Sequence, residues 1–346
     1  MSTEAVAPRR RLGPEDVGEA YRRAFPDRRF LVVSNREPYE HVYDDSQSEI
    51  EVRRPAGGLV AAIDPLMQAA GGVWIAWGSG DADAETVDDR QRLRVPPEEP
   101  AYTLRRLWLA EQDIHHYYYG YSNQFLWPLC HLRPKLTRIR ARHWERYDAV
   151  NRRFAEAVLD EVGDDRAAVW FQDYHLALAP ATVRAQRDDI GLSHFWHIPF
   201  PPLELFRIAA NGRALLEGLL ANDLLGFQLP LFCDNFLRCV ESVLEVPVDW
   251  DRRAVVRPRN TCFVRALPIS IDVDAYASAA AAPGAEARLG RIRTRFLPQG
   301  GMLGIGVDRI DYSKGLEEKL TALDMLWDRN PQLRERFTYV QVAVPS

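Results

Sequence analysis

Cysteine is scarce in this chain and nowhere closely paired. Its four are Cys130, Cys233, Cys239 and Cys262, with no CxxC. That spacing argues against a disulfide scaffold or a zinc site and reads as buried free thiols in a reducing compartment. Positive charge is not in excess, the formal net charge being −5. The chain therefore lacks the electrostatic footprint of a partner for nucleic acid or an anionic membrane, and any phosphate site must be local. No apolar run approaches the ~20 residues that span a bilayer. Arg9, Arg10 and Arg11 stand near the start without the apolar stretch that makes a signal peptide. No GxGxxG follows a strand-like segment, which weighs against a dinucleotide-dependent dehydrogenase. No internal repeat is visible, and no low-complexity segment exceeds the alanine run before Pro283.

What is present describes a soluble globular protein: 346 residues, 47% apolar and 27% charged, too long for one ordinary core. Residues 1–28 read as a tail or a short exposed helix. Apolar runs predict buried strands at Arg29–Ser34, Val73–Trp77, Ala168–Gln172, Leu192–Trp196 and Arg265–Ile271. The charged stretch Tyr39–Arg54 reads as a hairpin or loop. Helical periodicity covers Leu59–Ala70 and Trp144–Glu161, and Leu215–Phe227 and Leu231–Leu244 alternate helix and strand signals. Alternating strands and helices predict a parallel sheet in a domain over 29–272. A connector with a helix follows over 273–300, and a new strand–helix–strand begins near Met302, opening a partial second domain over 301–346.

Candidate chemistry clusters where strands are expected to end. Asp308-Arg309-Ile310-Asp311-Tyr312-Ser313-Lys314-Gly315 joins the apolar run Met302–Val307 to a helical pattern at Leu316, Leu320, Leu323 and Trp327. Arg309 and Lys314 are thereby expected on a strand-to-helix loop, suited to a diphosphate. Arg36, in Ser34-Asn35-Arg36, suits a phosphate or an ion pair with Glu37 or Glu40. Ala56-Gly57-Gly58-Leu59 precedes a helix and suits an anion at its N-terminus, or a plain turn. Tyr117 to Asn123 runs into Leu126-Trp127-Pro128, whose aromatic faces suit a sugar or a packed core. Asp173 and His197 each follow a strand and can meet over one pocket. Their rival readings are a helix cap, a core histidine, or a metal site of Asp173, His175 and His197.

These segments, together with Asp223-Leu224-Leu225-Gly226-Phe227 and His197-Ile198-Pro199-Phe200-Pro201, occur in an order that resembles the trehalose-6-phosphate synthase family. The likeness extends from about residue 29 to the last residue. It implies an α/β protein of the GT-B type, with an N-terminal Rossmann-like domain and the beginning of a second. The implied activity is retaining transfer of glucose from a nucleotide-glucose, commonly UDP-glucose, to glucose 6-phosphate, giving α,α-trehalose 6-phosphate. By this resemblance Arg36 holds the acceptor phosphate, and Tyr118, Trp127 and nearby Trp77 line the acceptor pocket. Gly58 meets the donor phosphates, and Asp173 binds sugar hydroxyls at the reacting centre. His197 contacts the donor glucose, while Arg309 and Lys314 grip the diphosphate. No metal or other cofactor is expected. The metabolites concerned imply a cytoplasmic location, and assembly into a homo-oligomer stays open.

Two departures qualify the likeness. Glu37-Pro38-Tyr39-Glu40 after Arg36 is similar to glucosylglycerol-phosphate synthases, which use glycerol 3-phosphate, whereas Ser122-Asn123 and Leu126-Trp127-Pro128 favour the trehalose branch. The chain also ends at Ala343-Val344-Pro345-Ser346, before the rest of the donor-binding domain. The expectation is a C-terminally truncated synthase with exposed apolar faces on its second unit. An inactive fragment that binds a sugar phosphate is the non-enzymatic alternative.

Overall fold

A computed structural model describes residues 13–44, 46–55 and 57–344. Arg9, Arg10, Arg11, Ala56, Pro345 and Ser346, which figured in the sequence reading, lie outside them. Two compact units meet in the chain between Pro268 and Ile269.

The first unit contains β1 (Arg29–Arg36), β2 (Glu40–Tyr43), β3 (Ile50–Arg53), β4 (Val73–Trp77), β5 (Arg92–Val95), β6 (Tyr102–Leu107), β7 (Ala167–Gln172), β8 (Gly191–Trp196), β9 (Leu224–Phe227), β10 (Ala254–Val256) and β11 (Thr261–Ala266). Nine of them form one sheet in the order β10-β11-β9-β8-β7-β1-β4-β6-β5, and β2 with β3 makes a separate hairpin. All neighbours from β11 to β6 run parallel, with β10 and β5 added antiparallel at the edges. Central strands of such a sheet are covered on both faces and so are apolar throughout. Thus Leu31, Val33, Val73 and Ile75 enter the larger core, while the alternating Val32, Trp74 and Ala76 enter a smaller core behind them. The chain leaves β1 for β4 on one side and later returns to β7 on the other. The switch point where ligands bind in open α/β sheets therefore lies at the carboxyl ends of β1 and β7.

Several boundaries differ from the sequence reading. Residues 14–24 take the second of the two readings, a short and largely exposed helix, rather than a tail. Gly18 packs so tightly on the helix Gly58–Ala70 that an added Cβ would stand 2.8 Å from the Ala69 carbonyl. The first strand runs through Arg36, so Ser34-Asn35-Arg36 belongs to β1. The last strand of this unit is Thr261–Ala266, ending before Pro268, which has no N–H to continue the ladder. Short β5 and β10 carried too few alternating residues to be seen, and in β6 the charged pair Arg105-Arg106 broke the apolar run. The tyrosine-rich run Ile114–Leu126 is a π-helical stretch, closed at its end by Trp127 N–H to Ser122 C=O.

The second unit begins with the helices Val273–Ala281 and Ala285–Phe296, divided at Pro283-Gly284, where Gly284 has φ +85°. β12 (Met302–Arg309) and β13 (Phe337–Val344) then pair in parallel around the helix Leu316–Arg329. The expected exposed apolar faces are present: Ile305 and Val307 on β12 are 69% and 66% exposed, and Leu320 on the helix 57%. Among the described residues, no helix is long and apolar enough to cross a membrane.

Candidate active site

Four segments place their functional side chains at the carboxyl edge of the first unit's sheet. Arg36 ends β1, Trp77 ends β4, Asp173 follows β7 and His197 follows β8. Tyr118 and Trp127 come from the π-helical stretch and the turn after it. That stretch can lie close because Gly120 has no side chain; an added Cβ would stand 2.7 Å from the His143 ring.

An unbroken chain of contacts links most of these residues. Arg36 Nη2 donates to Tyr118 Oη at 2.8 Å, and its guanidinium lies 5.8 Å from the Tyr118 ring centroid. Trp77 packs against Tyr118 at 6.1 Å between ring centroids. On its other side Tyr118 stacks with His175 at 5.7 Å, and His175 lies 4.0 Å from Tyr174. Tyr174 contacts Trp127 at 6.0 Å and donates its hydroxyl to Asn123 Oδ1 at 3.1 Å. The result is an aromatic wall ending in a guanidinium, with a polar amide set into it.

Asp173 adjoins that wall. Its Oδ1 accepts the Tyr174 N–H at 2.8 Å and the His197 N–H at 3.1 Å. The acid and the histidine do meet, as expected, but through the His197 backbone rather than its ring. Asp173 also caps the short turn Tyr174–Leu176, as the capping reading expected. Its φ of +70° with ψ of 172° is a region that non-glycine residues adopt only under constraint. Burial raises its carboxyl to about 7 despite three backbone donors that favour the anion. The exposed His197 ring has Nδ1 at 3.1 Å from Gln228 Nε2, and partial burial lowers its pKa. Burial and the nearby Arg36 take His175 down to about 3, so that ring is neutral. Among the described residues, no group of three or more His, Cys, Asp and Glu is arranged to hold a metal ion.

Gly58 opens the helix Gly58–Ala70. Added Cβ atoms at Gly57 or Gly58 would meet nothing within 4 Å, so no packing contact requires glycine at either position. In the second unit Arg309 ends β12 and Lys314 closes the turn Tyr312–Lys314, as the sequence implied. Asp311 Oδ1 accepts the Ser313 N–H at 2.7 Å, and Gly315 turns the chain at φ +60° into the following helix. Asp308 of the same motif is committed to Lys319 at 2.7 Å.

Glu37 and Tyr39 face the interior instead. Fully buried Glu37 accepts from Arg106 Nε at 2.7 Å and from the Ser79 N–H at 2.7 Å. Tyr39 donates to buried Asp64 at 3.0 Å and accepts from Arg54 at 2.9 Å. The residues that departed from the trehalose pattern thus spend their polar atoms on core networks. Sequence reasoning assigned no role to Tyr174, His194 or Gln228. A histidine in the largely apolar strand Gly191–Trp196 was the one signal available for His194.

This parallel sheet, with its polar row at the switch point and a second β–α–β unit after it, is a protein of the GT-B type. The family model for glycosyltransferase family 20 matches residues 28–346, and the chain belongs to that family. It is 37% identical over 328 residues to the trehalose-6-phosphate synthase of Mycolicibacterium vanbaalenii, covering 92% of this chain and 65% of that protein. The Mycobacterium tuberculosis trehalose-6-phosphate synthase is 38% identical over 337 residues, covering 93% and 65%. An Escherichia coli structure bound with UDP-2-fluoro glucose superposes with a TM-score of 0.76 at 31% identity, over 92% of this chain and 65% of that one. A Burkholderia xenovorans UDP-forming α,α-trehalose-phosphate synthase in complex with glucose 6-phosphate gives 0.75 at 28%, over 92% and 66%. The chain thus spans just under two thirds of the length of these relatives.

Proposed function

We propose that this chain carries the acceptor half, and the start of the donor half, of a retaining glucosyltransferase. The reaction moves glucose from a nucleotide-glucose, UDP-glucose, to glucose 6-phosphate and yields α,α-trehalose 6-phosphate. One observation carries this reading: a guanidinium, Arg36, stands at the end of an aromatic wall that leads to a carboxylate, Asp173, all at the sheet's switch point. A sugar phosphate has that layout, with an anion at one end and hydroxyls along an amphipathic ring. The relatives' names, and the glucose 6-phosphate and UDP-sugar analogue bound in two neighbours, support it.

In this reading Arg36 takes the acceptor phosphate, and Tyr118, Trp77 and Trp127 flank the sugar. Asp173 accepts sugar hydroxyls, and Gly58 offers its N–H to the donor phosphates. His197 contacts the donor glucose. The bond from glucose C1 to the diphosphate breaks as the acceptor's anomeric hydroxyl bonds to C1, its proton leaving with the diphosphate oxygen. Arg309 and Lys314 stabilise the charge that develops on that leaving group, the role fixed cations fill best. Glu37 and Tyr39 are engaged in core networks, which supports glucose 6-phosphate over the alternative acceptor, glycerol 3-phosphate. A cytoplasmic location goes with this reading, because the substrates are cytoplasmic metabolites.

A coupled nucleotide-release assay with UDP-glucose tests the proposal, run with glucose 6-phosphate and with glycerol 3-phosphate, on this chain and on a C-terminally extended one. Release that requires glucose 6-phosphate is the expected result in the extended chain. Release driven equally by glycerol 3-phosphate, or by neither, overturns it.

A further inference from the structure

We propose that His194 is a positioning residue for Asp173, holding the constrained peptide that aims this carboxylate; the inference rests on the function proposed above, which gives Asp173 its sugar contact. His194 lies on β8, is 2% exposed, and sits between Phe171 and Trp196, with ring centroids 6.4 Å and 6.5 Å away. Its Nε2 is 3.1 Å from the Asp173 carbonyl oxygen. A carbonyl only accepts, so the imidazole proton resides on Nε2 and Nδ1 is bare. Burial takes the ring down to about 3, so it is neutral and carries that one proton. Nδ1 has no hydrogen-bond partner among the described residues.

An aromatic hydrocarbon would fill this space without stranding a ring nitrogen, so a histidine here is costly unless its one bond matters. That bond ends on a residue whose backbone is under constraint. The Asp173 peptide is held by its N–H to Phe195 C=O at 2.8 Å, by its own carboxylate on the Tyr174 and His197 amides, and by His194 at its carbonyl. Of these, only His194 is a side chain from another strand. It ties the turn after β7 to β8, and hence fixes the direction in which the second carboxylate oxygen points.

Ligand-free amide hydrogen exchange on the 346-residue chain tests this at the Tyr174 and His197 N–H groups, which report whether Asp173 stays in place. His194→Phe keeps a ring and removes the donor. Exchange at both amides is expected to quicken about five- to tenfold, the factor that loss of one such bond implies, with the rest of the sheet unchanged. His194→Gln presents an amide N–H toward the same carbonyl and is expected to return both rates to within about twofold of wild type. If the phenylalanine variant does not fold, His194→Leu takes its place. Unchanged exchange in the apolar variant, or equal acceleration in the apolar and glutamine variants, overturns the proposal, since side-chain volume and not the hydrogen bond would then hold the turn. A glucose 6-phosphate titration beside it keeps the two claims apart. Failure of the wild-type chain to bind defeats the acceptor reading, while the exchange rates still decide the role of His194.

Discussion

Arg36 and Tyr118 are joined twice, by a 2.8 Å hydrogen bond from Nη2 to the phenol oxygen and by the guanidinium's position 5.8 Å from the ring centroid. The tyrosine thereby aims the guanidinium fork, whose remaining N–H donors take the acceptor phosphate in the proposed reading. Arg36→Ala is expected to weaken glucose 6-phosphate binding ~10–100-fold, the range for hydrogen bonds to a charged group. Arg36→Lys restores little, because an ammonium cannot keep the fork or the tyrosine bond. Calorimetric titration checks this. A loss of UDP-glucose affinity with normal glucose 6-phosphate affinity would contradict the assignment.

Asp173 makes stability depend on pH. Burial raises its carboxyl from the ordinary 3.8 to about 7. A group raised in the folded state favours folding when protonated. Its contribution is therefore complete below pH 4 and is lost as pH rises toward 7. Asp173→Asn keeps an acceptor for the two amides without the charge. It should melt above wild type at pH 8, by an amount on the order of a few kcal/mol, and with wild type below pH 4. Thermal melts across that range decide it, and a variant less stable than wild type at pH 8 would refute it.

Arg106 serves two buried acids, Glu37 at 2.7 Å from Nε and Asp83 at 2.7 Å from Nη2. Burial and the adjacent Asp83 push Glu37 upward, against the pull of Arg106. Arg106→Met strands both acids and is expected to cost about 3–5 kcal/mol. The urea midpoint of unfolding measures that cost. A variant with unaltered stability but changed acceptor preference would show that this network reads the substrate after all.

Gly120→Ala places a methyl group where the His143 ring already stands, 2.7 Å away. We expect a loss of about 1–3 kcal/mol from overpacking. Much of it should be recovered in the double variant with His143→Ala, so a double-mutant cycle in denaturant should show strong coupling. Additive effects would mean that the two residues are not in contact.

Arg309→Ala in a C-terminally extended chain is expected to cut turnover ~10²–10³-fold, as loss of one charge-stabilising contact does. Steady-state kinetics should show the fall in kcat. Unchanged kinetics would remove Arg309 from the leaving-group role.

Much of this protein was legible in one dimension because its physics is local. Runs such as Phe30 to Val33 and Val73 to Trp77 are apolar on both faces, and only a covered parallel strand requires that. The helix opened by Gly57-Gly58 and the β–α–β unit from Met302 to Val344 followed from periodicity and turn residues, whereas the charge of residues 39–54 allowed a hairpin or a loop. Motif order named the family, and strand ends marked Arg36, Asp173, His197, Arg309 and Lys314 as candidates.

The tertiary structure decided what depends on contacts between residues far apart in the chain. β5 and β10 are too short to show a pattern and exist because an edge of the sheet accepts them. Glu37 offered itself as an ion-pair partner for Arg36, yet it points inward, where Arg106, 69 residues away, comes to meet it. His175 joins the aromatic wall because the π-helical stretch packs on the turn after β7, and His194 reaches the Asp173 carbonyl because β7 and β8 lie side by side. Spacing along a chain sets which face a side chain takes, but its partner is chosen by which strands the fold makes neighbours.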